Sequence, residues 1–131
     1  MIRRVTIIKT RHQVHRNIND DLKWIGTSLG LFSLRDKNSS CFRIFINLLR
    51  RARERRLTSS DELAELTGLT RGTVVHHLNI LMDAGIVVRE QKGYILRTDR
   101  MEVLVQMIRH DVNSAFDEIE TIAADIDKHL G

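Results

Sequence analysis

Two helix-start signals only eleven positions apart constrain this chain more than any other feature it has. Ser59 followed by Glu62 has the S-x-x-E spacing of a capping box, and Leu63, Ala64 and Leu66 give the helix that follows a buried side. Gly68 ends that helix. Thr70 caps a second one, so only "TGL" lies between them. Two short helices joined this tightly must turn sharply against each other, as in a helix-turn-helix. The residues at the junction suit that turn mechanically. Ala64 is small where the helices cross, Gly68 permits a left-handed turn residue, and Leu69 fills the space between them.

At 100° per residue, Val74, Leu78 and Leu81 cluster within about 60° and define the core side of the second helix. Gly72, His76, Asn79 and Asp83 point the other way, with Thr73 on their flank and Arg71 at the start. An exposed side that is small or able to hydrogen-bond suits insertion into a major groove. Thr70 and the free N–H groups of the first turn suit a backbone phosphate. Neighbouring residues diverge by about 100°, so His76 and His77 do not form one metal site from a regular helix. His76 projects outward to meet bases or phosphate. His77, between the two sides, reads as a packed, hydrogen-bonded histidine.

After "DAG" closes this helix, "IVVRE" and "GYILR" are β-branched and aromatic, separated by "QK" with Gly93 at the turn. A short hairpin placed directly after a helix-turn-helix makes a winged helix. Arg89, Gln91 and Lys92 then sit near the wing tip, within reach of a phosphate or a minor groove.

The stretch "SSDELAELTGLTRGTVVHHLNILMDAGIVV" resembles the DNA-binding core of the ArsR-type winged-helix transcription regulators. The shared pattern falls on Leu63, Ala64, Gly68, Leu69, Thr73, Val74, His77, Leu78, Leu81, Ala84, Gly85 and Val87. "LFSLRDKNSSCFRIFINLL" resembles the helix that leads into this core, as in archaeal-type members. Residues 20 to 130 can be laid on the family's plan, with a discriminating motif over 59 to 97. Val75 stands where the family often has Ser, which removes a phosphate contact. Thr70 replaces the usual capping Ser and keeps its chemistry. The resemblance implies a DNA-binding regulator that dimerises.

The rest of the chain is consistent with one core. At 131 residues it has the size of a single domain, and the absence of proline suits helices joined by short turns. Residues 1–19 read as a short strand ("RVTII") or a mobile basic arm carrying Arg3, Arg4, Lys9, Arg11 and Arg16. From Asp20, Leu22, Ile25, Leu29 and Phe32 mark a short amphipathic helix. In "DKNSSCFRIFINLLRRARERR", Cys41, Phe45, Leu48, Leu49 and Ala52 form an apolar stripe, with Arg43, Asn47, Arg50 and Glu54 across from it. Cys41 therefore reads as a packed small hydrophobe. The closing arginines, Arg50, Arg51, Arg53, Arg55 and Arg56, favour the negative end of the helix dipole or meet phosphate.

Charge is distributed unevenly. Residues 1 to 60 carry +10, residues 61 to 97 carry −1 and residues 98 to 131 carry −5, which accounts for the net +4. Such polarity points to a basic surface that meets a polyanion and an acidic end that stays away from it, or to charges that only solvate helix faces.

Asp99, with Glu102 at N3, is placed to cap a final helix, and no breaker interrupts residues 100 to 130, a rod of roughly 45 Å. Leu104, Ile108, Val112, Ala115, Ile119, Ile122 and Ile126 recur at steps of three and four, close to a heptad seam. A lone domain would leave much of that seam in water. The expected cover is the same helix of a second subunit, packed with the residue 20–32 helix; the alternative is a rod folded back on its own domain. A twofold dimer would set two recognition helices on successive major grooves of a pseudo-palindromic site.

These readings give a mainly α fold with a small β-hairpin wing: a winged helix-turn-helix with a long C-terminal dimerisation helix. The divisions are 1–19 (arm or strand), 20–97 (DNA-binding domain) and 98–131 (dimerisation helix). The expected partners are double-stranded DNA and a second copy, with no membrane. An apolar run long enough to span a bilayer and a secretory leader are both missing, and a lone Cys41 needs no oxidising compartment, so a cytoplasmic location is expected. No phosphate-cradling loop, nucleophile motif or paired-acid arrangement is present, so no enzyme activity and no cofactor are expected. Metal sensing is not expected either. There is no Cys-x-Cys pair, His110 and His129 are nineteen apart, Asn113 stands where an Asp-x-His pair needs histidine, and His12 and His15 lie in the poorly defined arm. The competing reading is a winged helix used as a protein-interaction module, which usually shows an apolar or acidic recognition helix.

Overall fold

The computed structural model describes residues 2–12, 17–32 and 39–131. In chain order its elements are α1 (Ile18–Ser28), α2 (Ser40–Arg53), α3 (Ser60–Thr67), α4 (Arg71–Asp83), β1 (Val87–Glu90), β2 (Gly93–Leu96) and α5 (Met101–Leu130). This is a mainly helical fold with one two-stranded antiparallel hairpin after the paired helices and a long last helix.

The core is built where the apolar stripes of α2, α3, α4 and the hairpin converge. Ile44, Leu63, Val74, Leu78, Leu81 and Ile86 are completely buried there. Each such side chain contributes about 1.5–3 kcal/mol by leaving water. On α2 the buried stripe is Cys41, Ile44, Phe45, Leu48 and Ala52, with Leu49 only half-buried. Cys41 is 1% exposed, as expected of a packed small residue. Arg43, expected on the open face of α2, donates instead to the Thr67 carbonyl at the end of α3. A long aliphatic stem lets its charge reach an unpaired helix-terminal carbonyl.

Helix α1 begins earlier than its apolar spacing suggests. Asn17 caps it by accepting from the Asp20 N–H at 2.8 Å, and Asp20 and Asp21 occupy the first turn. Phe32 lies beyond the end of α1 and meets Phe42 and Phe45 of α2 edge-on, at centroid distances of 5.5 and 6.3 Å. The early part of the segment expected to lead into α2, residues 33–38, lies outside the described residues.

The hairpin register pairs Val87 with Leu96 and Glu90 with Gly93, leaving Gln91 and Lys92 as a two-residue turn. The left-handed residue of this turn is Gln91, at φ 51°, and not Gly93. Gly93 is needed for close approach: a Cβ there would stand 2.8 Å from the Leu57 Cβ. That closeness arises because Thr58 joins the edge of the hairpin. The Thr58 N–H donates to the Tyr94 carbonyl at 3.0 Å, and the Tyr94 N–H donates back at 2.8 Å.

The last helix is entered differently from expectation. Asp99 does not cap it; Arg100 is the N-cap residue, with no side-chain hydrogen bond, and the Arg100 N–H donates to the Thr98 hydroxyl at 3.3 Å. Helix α5 runs for 30 residues, about 45 Å at 1.5 Å per residue. It divides into two halves. Leu104 and Ile108, placed on an intersubunit seam by their spacing alone, are 1% and 2% exposed within the domain's own core. Val112 packs against that core. The Arg97–Asp111 ion pair, at 2.6 Å and largely buried, ties the end of β2 to this first half. Beyond Ala115 every residue of the helix is exposed.

Candidate nucleic-acid interface

The angle between α3 and α4 is fixed by short-range chemistry. Ser59 and Glu62 form the reciprocal capping box: the Ser59 hydroxyl accepts from the Glu62 N–H at 3.0 Å, and the Glu62 carboxylate accepts from the Ser59 N–H at 3.2 Å. That backbone donor is the main reason the Glu62 carboxyl lies below its ordinary pKa. Partial burial opposes the shift, and the Ser59 side chain, Arg51 and Arg56 reinforce it. Arg51 of α2 also meets Glu62 at 3.1 Å, which fastens the start of α3 to the end of α2. At the other end of α3 the Thr67 hydroxyl donates to the Leu63 carbonyl at 2.6 Å, and Gly68 turns the chain at φ 72°. The buried side of α3 is Leu63 and Thr67. Leu66, expected to be inside, is 48% exposed, because i+4 from Leu63 falls on Thr67 and the core takes that row.

Helix α4 starts at Thr70, whose hydroxyl oxygen accepts from the Thr73 N–H at 3.2 Å. The same hydroxyl lies 2.9 Å from Thr73 Oγ1 and donates to it. Arg71, Gly72, His76 and Asn79 are exposed, Thr73 is half-buried, and Val74, Leu78 and Leu81 face the core. Arg71 stands 3.5 Å from Asp61 in a fully solvated pair, which leaves its guanidinium accessible. Nothing lies within 4 Å of the position a Cβ would take at Gly72. His77 is half-buried, and its ring meets that of His76 edge-on with centroids 5.3 Å apart. The two rings thus lean toward each other more than a bare helical wheel suggests. Among the described residues, no group of three His, Cys, Asp or Glu side chains converges on one point. His15 lies outside the described residues.

Arg89, Gln91 and Lys92 are exposed at the hairpin end. The Arg89 guanidinium lies 5.7 Å from the Tyr94 ring centroid, a cation–π contact that holds its stem along the strand. The structure thus gathers Thr70, Arg71, Gly72, Thr73, His76 and Asn79 on α4, and the other three on the hairpin, a separate element.

Sequence reasoning left the arm without a position. Residues 2–12 form neither helix nor strand, yet they are tied down: the N–H groups of Arg3 and Arg4 donate to the Asp83 carbonyl at 2.7 and 3.0 Å, and that of Ile8 to the Ser28 carbonyl at 2.7 Å. The basic character of the arm was visible in the sequence. Its docking site was not, because backbone donors carry no residue signature.

Two tightly capped helices, an exposed second helix and an adjoining hairpin define the winged helix-turn-helix class of domain. Residues 46–88, from the second half of α2 into β1, match the family model described as bacterial regulatory protein, arsR family. The match covers about a third of the chain, and over these residues the protein is similar to the helix-turn-helix domain of that family of regulatory proteins. The arm, α1, β2 and α5 lie outside the matched residues. Comparison with curated proteins and with solved structures gave no match. No helix among the described residues is long and apolar enough to cross a membrane.

Proposed function

We propose that this protein is a sequence-specific double-stranded DNA-binding transcription regulator that acts as a homodimer on a pseudo-palindromic site, occupying a promoter rather than turning over a substrate. The observation that carries this reading is the solvent-exposed face of α4, where Gly72, His76 and Asn79 stand clear of the core at the end of a rigid helix-turn-helix. Gly72 lets the duplex approach closely, and Thr73, His76 and Asn79 offer donors and acceptors to base edges. Arg71, with Thr70 and the N–H groups of the first turn, holds phosphate; Arg89, Gln91 and Lys92 meet the backbone from the wing.

Dimerisation rests on the distal half of α5. Phe116, Ile119, Ile122, Ile126 and Leu130 are between 53% and 81% exposed, an apolar row with no cover in the monomer. A second copy of the same helix covers it in the dimer. In this arrangement Ala115, Ile119, Ile122 and Ile126 keep the intersubunit role expected from their spacing, Phe116 joins them, and Leu104 and Ile108 serve the domain's own core. The division into an arm, residues 20–97 and residues 98–131 is then functional as well as positional.

The test is selection of bound duplexes from a random pool, with light scattering for the mass of the free protein. A palindromic consensus and a mass of two chains are expected. Enrichment of no sequence, together with duplex affinity that does not respond to salt, would replace this reading with the protein-interaction module, because a phosphate-bound protein must lose affinity steeply as salt rises.

A further inference from the structure

We propose that the amino-terminal arm is a second contact element for duplex DNA, in which Arg3 and Arg4, held at the carboxy-terminal end of α4, bind backbone phosphates beside the base pairs that α4 reaches. This inference rests on the DNA-binding reading above and gives a role to a segment which that reading leaves idle.

Charge on α4 is confined to its ends. After Arg71, the helix contains no lysine or arginine, and it finishes in the exposed Asp83. The negative end of the helix dipole lies there too. A duplex laid along α4 would therefore meet one cation at the start of the helix and net repulsion at its end. The arm places two cations where the helix has none.

The arm is also held in the right place. Both backbone N–H groups of the arginine pair are bound by the Asp83 carbonyl, so the arm crosses the last turn of α4. Two apolar residues flanking the arginine pair face the domain: Val5 packs on the core, and Ile2 lies so close to Gly85 that a Cβ there would be 2.7 Å from the Ile2 Cγ2, whereas Ile7 and Ile8 further along are exposed. Arg3 and Arg4 are exposed. Arg3 borders a recess with Asn79 and Asp83, and Arg4 borders a 430 Å³ cleft with His76 and Ile80. The two arginines thus flank the same face of α4 that carries His76 and Asn79. A tethered arm also loses less entropy on meeting phosphate than a free tail does.

The experiment uses the full chain and the duplex enriched by selection, with affinity measured between about 50 and about 200 mM salt. Each phosphate contact contributes about 0.9 to the slope of log affinity against log salt, so the double variant Arg3→Ala, Arg4→Ala is expected to flatten the slope by about 1 to 2. Its affinity should fall about tenfold or more at the low end of the range, with sequence preference kept. Arg3→Lys with Arg4→Lys should restore most of the slope, and Lys128→Ala, on the far end of α5, should leave it unchanged. A double-alanine variant that keeps its melting temperature and binds with the parent slope overturns the inference and leaves the DNA-binding reading standing. Tighter binding by that variant also overturns it, because the arm would then be a cover. A parent protein whose affinity ignores salt removes both readings together.

Discussion

Asn79 and Lys92 should differ in what their loss does to duplex binding. Asn79→Ala removes a base-edge partner on α4 and should relax preference at one position of the selected site by roughly 1–3 kcal/mol, read as the affinity ratio between the selected duplex and one altered there. Lys92→Ala removes a wing cation and should weaken selected and altered duplexes alike. At the capping box, Ser59→Ala should cost about 1 kcal/mol in denaturant unfolding. Glu62 adds a pH dependence of definite sign. Its carboxyl titrates lower in the folded protein, chiefly through the Ser59 N–H, so its stabilising contribution is fully present above the ordinary carboxylate pKa and is lost as pH falls through the folded value. Melting curves of the parent and Glu62→Gln should therefore differ at about pH 7 and converge toward about pH 3. The effect is small, since the Glu62 side chain is 45% exposed.

Helices α3 and α4 were legible because their limits are local: a cap, its N3 partner and a turn glycine within a few residues of one another. Helix α5 was legible in length but not in its start or in the use of its two halves. A period of three and four says which residues share a face, and not whether that face meets the chain's own core or another molecule. Leu104 and Ile122 look alike in the sequence and differ by 1% against 59% in exposure. The Arg97–Asp111 pair was equally hidden, since it joins positions from two different elements. Asp111→Asn should loosen the first half of α5 and cost roughly 1–3 kcal/mol, less than a fully buried pair because both partners keep some water. Hydrogen exchange along residues 101–112 would report the loosening; unchanged protection there would show that Leu104 and Ile108 hold the helix unaided.

For the whole molecule, the chain divides into a compact winged domain and a protruding half-helix. Ile122→Glu should give a monomer by light scattering while leaving the melting of the winged domain near that of the parent, because residue 122 is 59% exposed and touches no core. Binding to a two-half-site duplex should then drop toward that of a single half-site. The placement of the arm, by contrast, was beyond any pattern in the residues, since it depends on how α1 and α4 come together in space. Cys41 makes the integrity of this assembly measurable without an added label. It is the chain's one thiol and lies sealed on the core-facing side of α2, so the rate at which a small alkylating reagent reaches it is a native clock for opening of the centre. DNA that clamps the helices should slow that clock, whereas a ligand gripping only the far rod should leave it running at its former pace.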